Sequence, residues 1–217
     1  LLQLQRMDLC LPIFHGPNGE DGTIHGFLQT LNLDFVGSDV FSSSLCMDKA
    51  ASKKLCKSIG LNIADFIEIS LFEWKNKKDQ ILKKITSKFD LSKSVYIKPN
   101  RYGSSIGISN VDNMDLLIDA LEKAFKYDQH ILVEEKIIAR EIEIAIIGDD
   151  YIEISNVGEI LRDNKFYDYE KKYGNSPTKK SISANVSKKE KENLKQIARQ
   201  VYVLSKCSSM ARVDLFL

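Results

Sequence analysis

The chain has 217 residues, 43% hydrophobic and 28% charged, the balance of a folded globular protein rather than a disordered one. Its 31 Lys and Arg nearly cancel its 30 Asp and Glu, which argues against nucleic acid or an anionic membrane as partner and leaves any anion to a local site. No apolar run approaches the roughly 20 residues that cross a bilayer, no signal-peptide order opens the sequence, and the four cysteines (Cys10, Cys46, Cys56, Cys207) lack C-x-x-C spacing, so they read as reduced core residues of a cytoplasmic protein.

Leu1–Gln5 is helical in character and runs without a capping start into Leu9–Phe14, an expected buried strand, so the chain reads as opening inside a domain. A glycine-rich loop (His15–Gly22), a helix (Thr23–Leu31) and a strand end (Phe35–Val36) follow, an α/β order. Ser44–Ile59 has helical spacing and stops at Gly60, Ile63–Ile69 is expected to be extended, and Trp74–Asp90 reads as a Lys-rich surface helix with one buried stripe. Strands Val95–Lys98 and Ile108–Val111 flank the turn-rich Asn100–Gly107, and Asp112 is expected to cap a helix running to Lys126. Ile131–Glu135 and Glu141–Ile147 are predicted strands, the latter turning at Gly148-Asp149-Asp150 into a hairpin with Tyr151–Ser155. Residues 157–180 lack periodicity and read as a long loop. Ser187 and Glu190 form a capping box for a helix to about Lys206, and Met210–Leu217 is a last strand, again ending in mid-domain.

Several of these segments carry chemistry-bearing residues. Lys98-Pro99 followed by Asn100-Arg101-Tyr102-Gly103-Ser104-Ser105-Ile106-Gly107 lets backbone N–H groups close over an anion beside a lysine, although a flexible hairpin with an exposed lysine satisfies the same pattern. It is not the Walker arrangement, because the lysine precedes the glycines and the loop joins two strands. Period-two alternation puts Met210, Arg212, Asp214 and Phe216 on one strand face, where Arg212 and Asp214 suit a phosphoryl group and a magnesium ion or, equally, a structural ion pair. Glu134-Glu135 ends one strand, and Glu141 and Glu143 share a face of the next, either as acceptors for a base and ribose or as a solvent face. The His15–Gly22 loop precedes a helix and could seat an anionic substrate at its N-terminus, or be a plain glycine turn. In the long loop, the aromatic run Phe166–Tyr173, with Lys172 and Tyr173, reads as a lid or as a segment pinned to the core.

Taken in order, HGPNGEDG (15–22), Met47-Asp48-Lys49, IKPNRYGSSIG (97–107), VEE (133–135) with REIEIAIIG (140–148), FYDYEKKY (166–173) and ARVDLFL (211–217) resemble the D-alanine:D-alanine ligase family across essentially the whole chain. The resemblance implies an α/β (α+β) ATP-grasp fold with the remnant of an N-terminal Rossmann-like domain. Its expected parts are the C-terminal part of that substrate-binding domain (1–38), a central ATP-grasp subdomain (39–133) and a C-terminal ATP-grasp subdomain (134–217). It implies ATP and Mg²⁺ (or Mn²⁺), D-alanine as substrate, peptidoglycan precursor synthesis, and a homodimer in the cytoplasm. Residue by residue, it implies that Lys49 and Lys98 bind phosphates under the loop Gly103, Ser104 and Ser105, and that Lys172 reaches the γ-phosphate. Glu134 would face the adenine amine, the backbone of Glu135 and Ile137 the ring edge, and Glu141 the ribose. Asp214 would ligate the metal, Arg212 would meet the oxyanion, His15 and Glu20 would lie near the first D-alanine, and Ser104 with Tyr173 would orient substrate.

Against the family pattern, an opening strand with an acidic residue is expected before Leu1, and a further carboxylate and an asparagine of the metal site after Leu217. Two other readings accompany the ligase: an ATP-grasp enzyme with a different acceptor, and a nucleotide-binding module without catalysis.

Overall fold

The computed structural model describes residues 6–161 and 179–217. Its frame is a pair of antiparallel sheets. The first contains β1 (Phe66–Ser70), β2 (Val95–Pro99), β3 (Ser109–Val111) and β4 (His130–Glu135), in the order β1-β4-β2-β3. The second is built on β5 (Glu141–Ile147). Strand β9 (Met210–Phe216) pairs along the whole of β5, while β6 (Glu153–Ile154) and β7 (Gly158–Leu161) pair with the two ends of its other edge, and β8 (Lys179–Ser181) extends β7.

Alternation along the strands decides where the core lies. In the first sheet Ile67, Ile69, Val95, Ile97, Ile131 and Val133 point to one face, against Ile81 and Ile85 of α5 (Lys78–Lys88) and Leu117, Leu121 and Ala124 of α6 (Met114–Phe125). Each such aliphatic side chain, once fully buried, contributes roughly 1.5–3 kcal/mol relative to exposure. The alternate residues Tyr96, Lys98, Leu132 and Glu134 take the other face. In the second sheet Ile142, Ile144 and Ile146 pack on Leu194, Ala198 and Tyr202 of the C-terminal helix (Lys188–Leu204), with Val213 and Leu215 beside them. That leaves Glu141, Glu143, Arg212 and Asp214 on the face away from the helix. Both sheets therefore keep a core face and a polar face.

Several expectations are corrected. Leu9–Phe14 is no buried strand: it makes one parallel bridge, Cys10 to Phe35, and Leu9, Leu11, Ile13 and Phe14 remain exposed, because one paired residue buries neither face. The helix expected over Ser44–Ile59 is two, α2 (Val40–Met47) and α3 (Lys49–Ser58), divided at Asp48, whose carboxylate accepts from Ala51 N at 2.9 Å and so restarts the helix. Trp74–Asp90 likewise divides into α4 (Leu71–Asn76), opened by a Ser70–Glu73 capping box, and α5, the break falling at Lys77 in a non-helical conformation. Asn113 rather than Asp112 caps α6, its side chain accepting from Leu116 N. The expected loop 157–180 contains β7 and β8, strands too short to show a period, and its residues 162–178 lie outside the described ones. The cysteines are free but none is buried, and Cys46 is exposed. The predicted helix Thr23–Leu31, the hairpin after Gly148 and the Ser187–Glu190 box all form, as α1 (Thr23–Thr30), β6 and the start of the C-terminal helix.

Candidate active site

Lys49 stands at the first position of α3, and Asp48 sets the turn that aims it. Its Nζ donates to the backbone carbonyls of Asn100 (3.1 Å) and Tyr102 (2.5 Å). The two segments are latched by fully buried Asn100, whose Oδ1 accepts from Ala50 N at 2.9 Å, and by Arg101, whose Nε meets Asp48 at 3.0 Å. Burial, and next the positive charge of Lys98, push the Lys49 ammonium down to a pKa of about 8. Two cations thus press on each other at the mouth of a glycine loop.

Lys98 lies on the polar face of β2, and its Nζ sits 2.5 Å from Oε1 of Glu134 on β4. The other carboxylate oxygen is 3.0 Å from Lys53 Nζ, one turn beyond Lys49 on α3. Glu134 is 4% exposed. Burial pushes its carboxyl up, but the Lys98 and Lys53 charges outweigh that and hold it below the ordinary glutamate range. Glu135 turns elsewhere: its side chain accepts from Asp65 N at 2.7 Å and its own N–H donates to Asp65 O at 3.0 Å. Ile137 follows on an exposed stretch.

The loop between β2 and β3 has positive φ at Ser104, Ser105 and Gly107. Gly107 has no latitude, since a Cβ there would stand 2.6 Å from the Tyr127 ring and 2.7 Å from Pro99 Cγ. Gly103 faces the other glycine loop, and a Cβ on it would lie 3.3 Å from Glu20 Oε2. Glu20 in turn accepts from Gly16 N at 2.6 Å, which ties its own loop into a turn behind exposed His15.

Glu20 also contributes, through its charge, to the environment of Arg212. Arg212 is held by a bidentate contact to Asp214 (2.7 and 2.9 Å) and by Glu143 at 3.2 Å across the strand pair, and these acceptors raise its already high pKa. Glu143 and Asp214 are partners in the β5–β9 register, and Glu141 lies two residues away on the same face. Predicted residues from five separate segments therefore gather, Glu20, Gly103, Arg212 and Asp214 on one side and Lys49, Lys98 and Glu134 on the other.

The D-ala D-ala ligase C-terminus family model matches residues 55–217, and the corresponding N-terminus model matches residues 2–38. The chain belongs to the D-alanine–D-alanine ligase family. It is similar to the D-alanine–D-alanine ligase of Clostridium acetobutylicum, 42% identical over 210 residues, covering 97% of this chain and 61% of that relative. Among solved structures it is similar to the VanG D-Ala:D-Ser ligase from Enterococcus faecalis (34% identity, TM-score 0.84, 97% of this chain and 60% of that one). It is also similar to the D-alanine–D-alanine ligase from Bacillus anthracis complexed with ATP (29% identity, TM-score 0.78, all of this chain and 66% of that one). The fold is accordingly ATP-grasp. The chain spans about three-fifths of the length of the curated relatives it matches.

Within this ligase-family fold, the expected lid residues Lys172 and Tyr173 lie outside the described residues. Lys53 and Asn100 stand at the site with no role expected of them from the sequence, and Glu143, a possible base or ribose acceptor, instead pairs with Arg212. Glu143 had been placed on the right strand face, and its register with Asp214 supplies the rest. Lys53 is one of four lysines on α3, with Lys49, Lys54 and Lys57, and nothing local distinguishes it from the other two that stay outside the site. No described helix is long and apolar enough to cross a membrane.

Proposed function

We propose that the protein ligates two D-alanines with ATP, as the named function of its relatives would have it. The observation that carries this is the pair Lys49 and Lys98 at the mouth of the β2–β3 loop. Lys49, held on the carbonyl oxygens of Asn100 and Tyr102, and Lys98, held on Glu134, form a pair of cations that anionic phosphates would complete. In this reading Lys49 and Lys98 hold phosphates, with Gly103, Ser104 and Ser105 closing over them. Glu134 accepts from the adenine amine, the backbone near Glu135 and Ile137 lines the ring, and Glu141 holds the ribose.

A carboxylate accepts an amine only after one oxygen becomes a leaving group. The first D-alanine's carboxylate would attack the γ-phosphorus, releasing ADP and leaving an acyl phosphate. The second D-alanine's amine would then attack the acyl carbon, and phosphate would leave as the amide forms. Arg212 would be the donor that meets the tetrahedral oxyanion. His15 and Glu20, beside Gly103, belong to the first D-alanine, and Lys172 and Tyr173 to the closing loop, which would keep water from the acyl phosphate.

Asp214 fits a hard divalent cation as an exposed carboxylate, and Mg²⁺ is commonly held by one or two carboxylates together with phosphate oxygens. Among the described residues no group of three or more His, Cys, Asp or Glu is assembled for a metal, and Asp214 would be one of the residues that hold it. When bound, the ion neutralises charge on the phosphates. The domain division at 38 and 133, a homodimer and a cytoplasmic location belong to the same proposal.

The test is D-alanine-dependent ADP and phosphate release by the full-length protein. Lys98→Ala is expected to abolish it, and near-normal turnover in that variant would refute the phosphate role. Release with D-lactate or D-serine in place of the second D-alanine would favour a different acceptor, for which the likeness to a D-Ala:D-Ser ligase gives a specific reason. Nucleotide binding with no turnover on any amino acid would favour a module without catalysis.

A further inference from the structure

Lys53 has no part in the function just proposed, yet it touches the residue on which adenine recognition turns. It follows Lys49 by one helical turn on α3, so both side chains leave the same face of the helix. Its ammonium passes 5.8 Å from the centroid of Phe66 on β1 and ends 3.0 Å from Glu134 Oε2. The other Glu134 oxygen belongs to Lys98 at 2.5 Å. A carboxylate so fully removed from water stays ionised only while a cation stands against it.

The two lysines are not equivalent. Lys98 is flanked by Lys49 at the mouth of the glycine loop and is the one drawn toward phosphates. In reaching for a phosphate it must loosen its hold on Glu134, at the moment when new negative charge arrives beside that carboxylate. Lys53 has no such competing demand, because its other neighbour is an aromatic ring.

This inference rests on the nucleotide site proposed above. We propose that Lys53 is the permanent partner of Glu134, a positioning residue that keeps the carboxylate ionised and fixed as an acceptor while Lys98 turns to the phosphates. In this way it sets a preference for a base bearing an exocyclic amine. A neutral or displaced Glu134 could no longer tell that amine from a carbonyl.

The experiment is calorimetric titration of the full chain with ATP and with inosine triphosphate, whose base carries a carbonyl where adenine has its amine. Wild type is expected to prefer ATP. Lys53→Met should lose about tenfold in ATP affinity, the effect of removing one ion-pair partner from a buried carboxylate, together with most of the preference. Lys53→Arg should retain both, and Lys98→Met should weaken the two nucleotides alike. Wild-type affinity and preference in Lys53→Met, or an equal fall for both nucleotides, overturns the proposal. A second background guards against simple misfolding. In Glu134→Gln the neutral amide needs no cation, so adding Lys53→Met should cost less than about twofold, and a full tenfold loss there overturns the assignment. A wild-type chain that binds neither nucleotide overturns the site itself, a result distinct from a Lys53 that binding ignores.

Discussion

If the proposed phosphate site holds, nucleotide binding at Lys49 is a proton-linked event. Its ammonium is held at a pKa of about 8 against an ordinary 10.5, first by burial and then by the charge of Lys98. A phosphate oxygen in place of the Asn100 and Tyr102 carbonyls would favour the charged form and restore the higher value, a linkage worth at most roughly 3 kcal/mol. Below pH 8 Lys49 is protonated with or without nucleotide, so affinity is level. Between pH 8 and the value in the complex, binding must take up a proton, and affinity falls as pH rises, by up to about tenfold per pH unit. At pH 8 the uptake is about half a proton per nucleotide. The free protein behaves oppositely: the unfolded chain binds the extra proton in that window, so stability rises with pH from about 8 to 10.5. Titration calorimetry at pH 8 in two buffers of different ionisation enthalpy measures the uptake directly. Heats that agree in both buffers, or an uptake that persists in Lys49→Met, would refute the reasoning.

Two further expectations concern the scaffold under the site. Gly107→Ala forces a Cβ to within 2.7 Å of Tyr127 and Pro99 at a φ of +71°, and should lower stability by roughly 1–3 kcal/mol, read as a depressed midpoint in urea. Asn100→Ala leaves Ala50 N without its acceptor in a buried place, and a loss of about 1–3 kcal/mol is expected, with weaker ATP binding because Lys49 loses its registration on the loop. Unchanged melting together with unchanged affinity in the asparagine variant would show that the latch is dispensable.

How much of this was legible depended on whether a residue's signal was local. The alternation Glu141-Ile142-Glu143-Ile144 and its counterpart in Met210–Phe216 declare both strand and face, and the structure puts the two strands in one register. The Ser187–Glu190 box needs only four residues to be read, and it closes as expected. By contrast, Asp48 looks like any helical residue until its carboxylate caps the next helix, and only the partner segment at Asn100 shows why the chain turns there. Lys53 acquires meaning from a glutamate 81 positions away in sequence, which no periodicity encodes. The apolar run Leu9–Phe14 misled for a related reason: hydrophobicity says that a segment needs a partner, and Phe35 supplies only one residue of pairing.

The division of each sheet into a core face and a polar face gives the strands a reading frame. Arg212 and Asp214 alternate with Val213 and Leu215 along β9, and Lys98 follows Ile97 on β2. Substitution at a polar position changes chemistry without disturbing the packing behind it. A single inserted or deleted residue within β9 does the reverse, turning two charges into the layer occupied by Leu194 and Ala198 and two aliphatics toward the site. Packing in these strands therefore depends on their phase more than on the letter at any one polar position.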